Sequence, residues 1–167
     1  DKLITIYQSA PKTKINFNKK QKLISFIGKL NVAKGYDLFG SSIIKILNKH
    51  KDWKAVVIGD EPREKIQFKH KNLKILGFKK HCEILDKLKT TSISVVCSRW
   101  EEPFGRTAME ASSRGCAVII SNRGGLPEAA SHPIKLKSFD YEALFKTIDK
   151  LIINNKYRTL IQKKTYN

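Results

Sequence analysis

The sequence predicts an α/β domain: a doubly wound, Rossmann-like parallel sheet with helices on both faces. Three observations support this prediction. Short runs rich in Ile and Val recur along the 167 residues, stripes of apolar residues at helical spacing lie between them, and glycines follow most of the runs. Alternating strands and helices imply right-handed crossovers between parallel strands.

Five runs have the length of a strand and are almost continuously apolar, as expected for strands that are buried on both faces. They are KLISFIG at 22–28, WKAVVIG at 53–59, NLKILG at 72–77, SISVVC at 92–97 and CAVIIS at 116–121. Each run therefore predicts one strand of the sheet.

Helices are predicted between these strands from apolar stripes at helical spacing. The stripes comprise Tyr36, Phe39, Ile43, Ile46 and Leu47, then Ile84, Leu85 and Leu88, and then Tyr141, Leu144, Phe145, Ile148, Leu151 and Ile152. Their periodicity indicates helices that each bury one face against the sheet.

The composition is that of a globular domain with a strong positive charge. Lys and Arg number 33 against 15 Asp and Glu, which leaves a formal net charge of +18. The electrostatic field of this charge attracts phosphates, nucleic acid or anionic lipid, although a solvated lysine-rich surface explains the same excess.

No apolar run approaches the length of a membrane span, so we expect a soluble domain. Cys97 and Cys116 lie in or beside apolar runs, which predicts buried, reduced thiols in a cytoplasmic protein.

Three segments are predicted along the chain. Residues 1–21 combine the strand-like LITIY with a polar, proline-containing stretch and are expected to form a strand and an interdomain linker. Residues 22–154 carry the alternation of strands and helices, and residues 155–167 predict a basic C-terminal helix. That helix is expected to contact another domain or anionic lipid, unless it is a plain surface helix. The chain has no initiator methionine and no signal segment, so we expect a fragment of a longer protein.

In a sheet of this type, ligands bind outside the carboxyl ends of the strands, near the point where strand order reverses. The segments after the predicted strands hold most of the glycines and several charged residues, and they should form one composite site. The motifs GxxxxGK[ST], GxGxxG, HExxH and GxSxG are all absent from the sequence. Their absence argues against a P-loop, a dinucleotide fingerprint, a metal site and a serine hydrolase.

The stretch WEEPFGRTAMEASSRG, residues 100–115, predicts an anion-binding helix terminus. Pro103 disfavours helical backbone at Glu102 and Gly105 permits a tight turn, so a helix should start near Arg106 and end at Gly115. Its free N–H groups and dipole suit a diphosphate. Carboxylates suit the neighbouring hydroxyls of sugars, and Glu110 can lean back towards the terminus.

A surface interpretation of the same residues stays open. Glu110 could pair with Arg106 at i,i+4 on a solvated helix face, while Glu101 and Glu102 form an acidic surface turn. Gly124 and Gly125 allow a close backbone approach, but an ordinary turn accounts for them equally well.

The order of motifs resembles that of the nucleotide-sugar-binding half of retaining glycosyltransferases with the two-domain GT-B fold, of the group 1, family 4 type. The resemblance covers about residues 22–154 and depends on five motifs in sequence. They are GKLNVAKG, GD, LGF, EPFG with a second glutamate, and GGLPE.

The resemblance implies a role for each residue of the site. Glu102 lies at the donor sugar and is the candidate catalytic residue, and Glu110 holds the ribose. The backbone of Phe104, Gly105, Arg106 and Thr107 contacts the sugar and the diphosphate. Lys29 and Lys34 clamp the diphosphate, with lysine at position 29 where the family usually has arginine, which gives a point charge in place of a bidentate fork. Leu76, Gly77 and Phe78 bracket the base, and no metal or other cofactor is implied.

The implied function is donor binding for transfer of a hexose from a UDP- or GDP-sugar, with retention, to a glycan, lipid or lipopolysaccharide precursor. Catalysis would depend on stabilising the departing diphosphate. An acceptor-binding domain would precede this segment in the same chain, so the segment alone should bind nucleotide without transferring sugar. The expected location is the cytoplasm, or the inner face of the membrane through peripheral contact with anionic lipid.

Two other functional classes stay open. A sugar-nucleotide epimerase has a similar two-domain shape and would act on UDP-GlcNAc without an acceptor. A basic nucleic-acid-binding module would explain the charge, but the sequence contains no recognised motif or pattern of stacking aromatics, so nucleic acid is not an expected partner.

Overall fold

The architecture is that of a six-stranded parallel sheet covered by helices, in a computed structural model that describes residues 4, 6 and 8–166. The strand predicted around LITIY falls largely outside the described residues. The strands are β1 (Leu23–Ile27), β2 (Lys54–Ile58), β3 (Leu73–Ile75), β4 (Ile93–Val96), β5 (Ala117–Ile120) and β6 (Ile134–Lys135). Their order across the sheet is β3-β2-β1-β4-β5-β6, and every neighbouring pair is parallel.

The five predicted strands are confirmed, and the sequence did not indicate the sixth. β6 is only two residues long, too short to produce a periodic pattern, and it pairs with the end of β5. The expectation of burial on both faces holds for β1, β4 and β5 but not for β3. β3 is an edge strand, and Lys74 and Ile75 within it are exposed.

Helices cover both faces of the sheet, as predicted. On one face, α1 (Tyr36–Lys49) buries its apolar stripe in the main core, and α4 (Tyr141–Ile153) buries Leu144, Ile148 and Leu151 there. Tyr141, the first residue of the stripe predicted for α4, is 43% exposed. On the other face, α2 (His81–Thr90) and α3 (Arg106–Ser113) pack through Leu88, Ala108 and Ala111. α4 begins at a side-chain cap, because the carboxylate of Asp140 accepts a hydrogen bond of 2.8 Å from the amide of Ala143.

The last helix, α5 (Asn155–Tyr166), packs against this domain. Tyr157 and Ile161 contact the main core, while the hydroxyl of Ser112 in α3 donates to the carbonyl of Thr165. Between these points the amide of Gln162 donates to the carbonyl of Ser92, just before β4, at 3.0 Å. α5 therefore crosses from one face to the other at the amino end of β4. Contact of this helix with lipid or with a further domain stays a prediction.

The polar segment that precedes β1 is attached to the domain by hydrogen bonds. The ammonium of Lys20 donates to the carbonyls of Leu88, Thr91 and Arg114 at 3.0, 2.8 and 2.6 Å, and burial lowers its pKa. These carbonyls lie at the carboxyl ends of α2 and α3, where a cation is favourable. A charged residue in a polar sequence thus serves as a buried cap shared by two helices, which composition alone does not indicate.

Strand order reverses between β1 and β4. The chain leaves β1 towards α1 on one face and leaves β4 towards α3 on the other. The two connecting segments diverge at the carboxyl edge of the sheet and leave a cleft between them, as expected at a topological switch point.

Both cysteines predicted to be buried are buried, and Cys82 is exposed. Burial raises the pKa of the Cys97 thiol to about 12 and raises the pKa of Cys116 as well. Neither thiol is therefore a nucleophile near neutral pH.

Candidate functional site

The cleft at the switch point contains a cavity of about 460 Å³. It brings together Lys29, Lys34 and Glu102 with residues 104–107. The sequence predicted all seven as site residues, although they come from two segments some 70 positions apart in the chain. Their convergence follows from the sheet order, because β1 and β4 are neighbours and end at the same edge.

Two residues that line this cavity, Lys34 and Glu102, form an ion pair. The ammonium of Lys34 lies 2.5 Å from Oε1 of Glu102, and the two side chains are 32% and 13% exposed. Glu102 therefore does not belong to a freely solvated acidic turn, which was the surface interpretation of this stretch. A cation that can reach this carboxylate can also reach an anion placed beside it.

The α3 helix starts at Arg106, as predicted, and points its amino end into the cavity. The amides of Arg106 and Thr107 have no acceptor within the helix and are available to an anion. Gly105 precedes them with φ of 104°, a left-handed conformation that favours glycine. A Cβ there would also lie 2.5 Å from Cδ2 of Leu126. Both the backbone conformation and the packing at this turn therefore favour glycine.

Glu110 lies one turn into α3 and is held by two cationic or donor side chains. Its Oε1 atom is 2.9 Å from Nε2 of His81 and 3.4 Å from Nη2 of Arg106. The pairing with Arg106 matches the surface interpretation, but the residue is only 8% exposed, so the face is not solvated. Glu110 lines an adjoining cavity of about 300 Å³ that shares Gln8 and Arg106 with the first.

His81 is a site residue that the sequence analysis missed. It stands at the start of α2, 29 positions before Glu110, and no fixed spacing connects a residue after β3 with one in α3. Only the packing of α2 beside α3 on one face of the sheet brings them together.

The loop after β1, residues 28–35, is held in place by the segment GDEPRE after β2. The amide of Val32 donates to Glu64 at 3.0 Å, and the side chain of Asn31 donates to Glu61 at 3.4 Å. Arg63 donates to both oxygens of Glu61 at 2.7 and 3.0 Å, and these hydrogen bonds lower the pKa of Glu61 to about 2. The oxygen of the Asn31 amide then accepts from the backbone N–H of Lys34 at 2.9 Å, so this network reaches the lysine of the site.

Gly124 and Gly125 pack directly against the turn that carries Glu102. The amide of Gly125 donates to the carbonyl of Glu102 at 2.7 Å, and a Cβ on Gly124 would lie 2.3 Å from that carbonyl oxygen. Gly124 also has φ of 51°. Both interpretations offered by the sequence hold, because the two glycines lie in a turn and that turn closely approaches the backbone of residues 101–104.

The three residues expected at the base lie away from the 460 Å³ cavity. Leu76 packs against the cluster that contains Val56 and Ile58. The carbonyl of Gly77 accepts from the amide of Gly59 at 2.9 Å, and Phe78 is 76% exposed. Their contact with a base stays a prediction.

Residues 4, 6 and 8–166 contain no group of three or more His, Cys, Asp or Glu side chains placed to hold a metal ion. No helix in the same residues combines the length and apolar character that crossing a bilayer requires. The expectation of a metal-free site stays a prediction.

Comparison with known proteins places this chain in a family. The family model for glycosyl transferases group 1 matches residues 8–167. An uncharacterised glycosyltransferase of Methanocaldococcus jannaschii is 33% identical over 135 residues, which are 72% of this chain and 34% of that protein. The lipopolysaccharide core biosynthesis mannosyltransferase LpsB of Rhizobium meliloti is 28% identical over 127 residues, which are 70% of this chain and 36% of that protein.

Solved structures agree in fold. The C-terminal domain of the group 1 glycosyl transferase LpcC from Francisella tularensis superposes with a TM-score of 0.76 at 28% identity, covering 86% of this chain and 81% of that one. Anabaena HepE, in complex with UDP-glucose, superposes with a TM-score of 0.75 at 17% identity, covering 87% and 43%. The chain spans about a third of the length of the curated relatives it matches. It belongs to the group 1 glycosyl transferases and has the fold of their C-terminal domain.

Proposed function

We propose that this chain is the donor-binding domain of a retaining glycosyltransferase and that a nucleoside-diphosphate hexose occupies the cleft between β1 and β4. The observation that carries this proposal is the Lys34–Glu102 pair inside a cavity of about 460 Å³ at the amino end of α3. The cavity and its neighbour of about 300 Å³ lie within the range of small-molecule sites. The relative HepE, whose structure contains UDP-glucose, supports the class of ligand.

Separate groups of residues would bind the diphosphate, the sugar, the ribose and the base of such a donor. The amides of Arg106 and Thr107 and the ammoniums of Lys29 and Lys34 surround the space where a diphosphate would lie. Glu102 faces the same cavity and would accept hydrogen bonds from sugar hydroxyls, while Glu110 would accept them from the ribose. Leu76, Gly77 and Phe78 would contact uracil or guanine.

The chemistry that these residues can supply is stabilisation of the leaving diphosphate. Negative charge grows on the diphosphate as the bond to the sugar breaks, and preorganised cations and N–H groups favour that state over the ground state. Lys34 would then divide its charge between Glu102 and the phosphates. Release of Glu102 from part of this pairing would leave its carboxylate available to the sugar. No metal or other cofactor is part of the proposal.

The proposed transfer requires an acceptor-binding domain from elsewhere in the same protein. The length of the relatives, of which the chain covers about a third, supports this part of the proposal. We expect the chain alone to bind nucleotide and to show no sugar transfer to an added acceptor. The acceptor class, whether glycan, lipid or lipopolysaccharide precursor, would be set by that other domain, together with any peripheral contact with the membrane.

A thermal-shift panel of UDP, GDP, ADP and their sugars tests this function. A ligand that binds only the folded state at 100 times its Kd adds about 2.7 kcal/mol to the free energy of unfolding, so one nucleotide series should raise Tm selectively. The proposal fails if no diphosphate changes Tm. A larger, salt-dependent response to duplex DNA would favour the nucleic-acid module, and epimerisation of UDP-GlcNAc without acceptor would favour the epimerase.

A further inference from the structure

The contact between His81 and Glu110 connects two helices at the edge of the proposed donor site. We propose that His81 is a positioning residue that fixes the Glu110 carboxylate for recognition of the ribose hydroxyls. This inference rests on the proposed function, because it concerns how the same nucleotide is selected. It assigns a role to a residue that the sequence motifs do not include.

The two oxygens of Glu110 are used differently. Oε1 accepts from Nε2 of His81 at 2.9 Å and lies 3.4 Å from Nη2 of Arg106. An ionised carboxylate only accepts hydrogen bonds, so Nε2 of His81 carries the proton in this contact. Among the described residues no donor reaches Oε2, and this atom is not enclosed by protein. The arrangement fixes the carboxylate through one oxygen and leaves the other for a ligand.

Because Glu110 is buried, the loss of its contact with His81 would not be compensated by bulk water. Glu110 is 8% exposed, so without His81 its carboxylate would keep only the longer contact with Arg106. A partly desolvated carboxylate that lacks a donor turns towards whichever cation or water can reach it. Its second oxygen would then no longer have a fixed direction towards the adjoining cavity.

The rest of α2 keeps His81 in place. At the amino end of α2, the amide of Lys80 donates to Glu83 at 3.0 Å, which caps the helix. At the carboxyl end, the buried ammonium of Lys20 bonds to Leu88 and Thr91 and also to Arg114 at the end of α3. Lys20 therefore connects the carboxyl ends of α2 and α3. The His81–Glu110 contact connects the amino end of α2 to α3. These contacts hold the backbone at His81, while its side chain, 56% exposed, is held by the contact with Glu110.

The test compares His81→Ala and His81→Gln with the unchanged chain. The amide nitrogen of glutamine can replace Nε2 as a donor at similar reach, whereas alanine removes the donor. Cys82→Ala is the matched control, because Cys82 is the exposed neighbour of His81 on the same turn of α2. Circular dichroism melting confirms that each variant is folded before binding is measured.

The quantity measured is the ratio of Kd for the 2′,3′-dideoxy nucleotide to Kd for the normal one, with UDP and GDP pairs titrated in parallel. Loss of one hydrogen bond to a charged group corresponds to about a tenfold change in affinity, so we expect a ratio of about 10 or more in the unchanged chain and in Cys82→Ala. His81→Ala should bring the ratio close to 1, while its Kd for inorganic pyrophosphate stays within about twofold because the diphosphate contacts are separate. His81→Gln should restore most of the ratio.

Three results would overturn the inference while leaving the proposed function intact. The first is a ratio in His81→Ala equal to that of the unchanged chain, and the second is a His81→Gln variant that behaves as alanine does. A merely structural role would weaken pyrophosphate and both nucleotides alike, which also contradicts positioning. Failure of the unchanged chain to bind either nucleotide would instead refute the proposed function itself.

Discussion

Glu102 and Glu110 lie on either side of the amino terminus of α3, and their carboxylates are held by different partners. Glu102 lies in the turn before α3 and pairs with Lys34, which reaches it from the loop after β1 on the other side of the cleft. Glu110 lies within α3 and is held by His81 and Arg106 from its own side. Ligand in the cleft would therefore compete for the partner of Glu102 but not for the main partner of Glu110.

This difference separates the two carboxylates by function. The Lys34–Glu102 pair can respond to a bound anion, since one cation serves two negative groups. The His81–Glu110 contact is suited to a fixed acceptor that selects hydroxyl groups. A change on one side of the cleft should accordingly affect diphosphate binding, and a change on the other should affect recognition of the ribose.

The largest effect is expected from Lys34→Ala. The variant removes a cation from the diphosphate space and leaves Glu102, 13% exposed, without its partner. Charge-assisted hydrogen bonds contribute about 1.5–3 kcal/mol, so Kd for UDP or GDP should rise about 10- to 100-fold by isothermal titration calorimetry. Lys22→Ala, which removes an exposed lysine paired with Asp52, is the control and should bind as the unchanged chain does. Equal losses in both variants would show a general charge effect in place of a site.

Gly124→Ala should disturb the turn that carries Glu102. Its Cβ would lie 2.3 Å from the Glu102 carbonyl, and the φ of 51° is unfavourable for alanine. Strained backbone of this kind costs about 1–3 kcal/mol, measurable as a lower free energy of unfolding in urea. Gly77→Ala is the matched control, because its φ is 65° but no atom lies within 4 Å of the added Cβ. If both variants lose equal stability, the close approach at Gly124 has no consequence.

Glu110→Gln should weaken nucleotide binding by a smaller amount and only through the ribose. One weakened hydrogen bond corresponds to about a tenfold higher Kd, with the Kd for inorganic pyrophosphate unchanged. Glu102→Gln should leave the preference for ribose over dideoxyribose as it is. Titrations of pyrophosphate, UDP and dideoxy-UDP against both variants measure this division. A loss of ribose preference in Glu102→Gln would contradict the separation of the two carboxylates.

The smallest effect on stability is expected at Glu61, which accepts a hydrogen bond from Asn31 in the loop that carries Lys34. Hydrogen bonds from Arg63 lower its pKa from 4.5 to about 2, so its contribution to stability is complete above pH 4.5 and is lost as the pH falls towards 2. Glu61→Gln should lower Tm at neutral pH, and the gap to the unchanged chain should narrow on acidification through that window. Melting curves across this pH range check the sign. A gap that widens towards acid would show that Arg63 does not stabilise the charged form of Glu61.

Much of the fold could be predicted because the strands are strongly apolar and the helices amphipathic. Where prediction failed, the local signal was weak or the cause lay in tertiary packing. β6 is two residues long and gives no periodic pattern. β3 was predicted as a strand, but its place at the edge of the sheet, which leaves Lys74 and Ile75 exposed, was not. Lys20 looks like part of a polar linker until the carboxyl ends of α2 and α3 are brought to it.

In the candidate site too, features with a local sequence signal were predictable and contacts made by tertiary packing were not. The turn at Gly105 and the start of α3 at Arg106 were predictable because Pro103 and Gly105 lie within a few positions of each other. The roles of Glu102 and residues 104–107 came from the family resemblance and stay predictions. His81 and Glu61 were not predictable, because their partners Glu110 and Asn31 lie 29 and 30 positions away along the chain. Predicting them requires the order of strands in the sheet, which periodicity and spacing do not specify.

Binding of a nucleotide in this cleft is tested most sharply by an amide NMR titration of the chain with UDP and GDP. We expect saturable shifts that are largest at Gly105, Arg106 and Thr107, with smaller shifts in residues 28–35, because the diphosphate would lie between the amino end of α3 and Lys34. Saturable binding that leaves these amides unshifted, or no binding by either nucleotide, would contradict it.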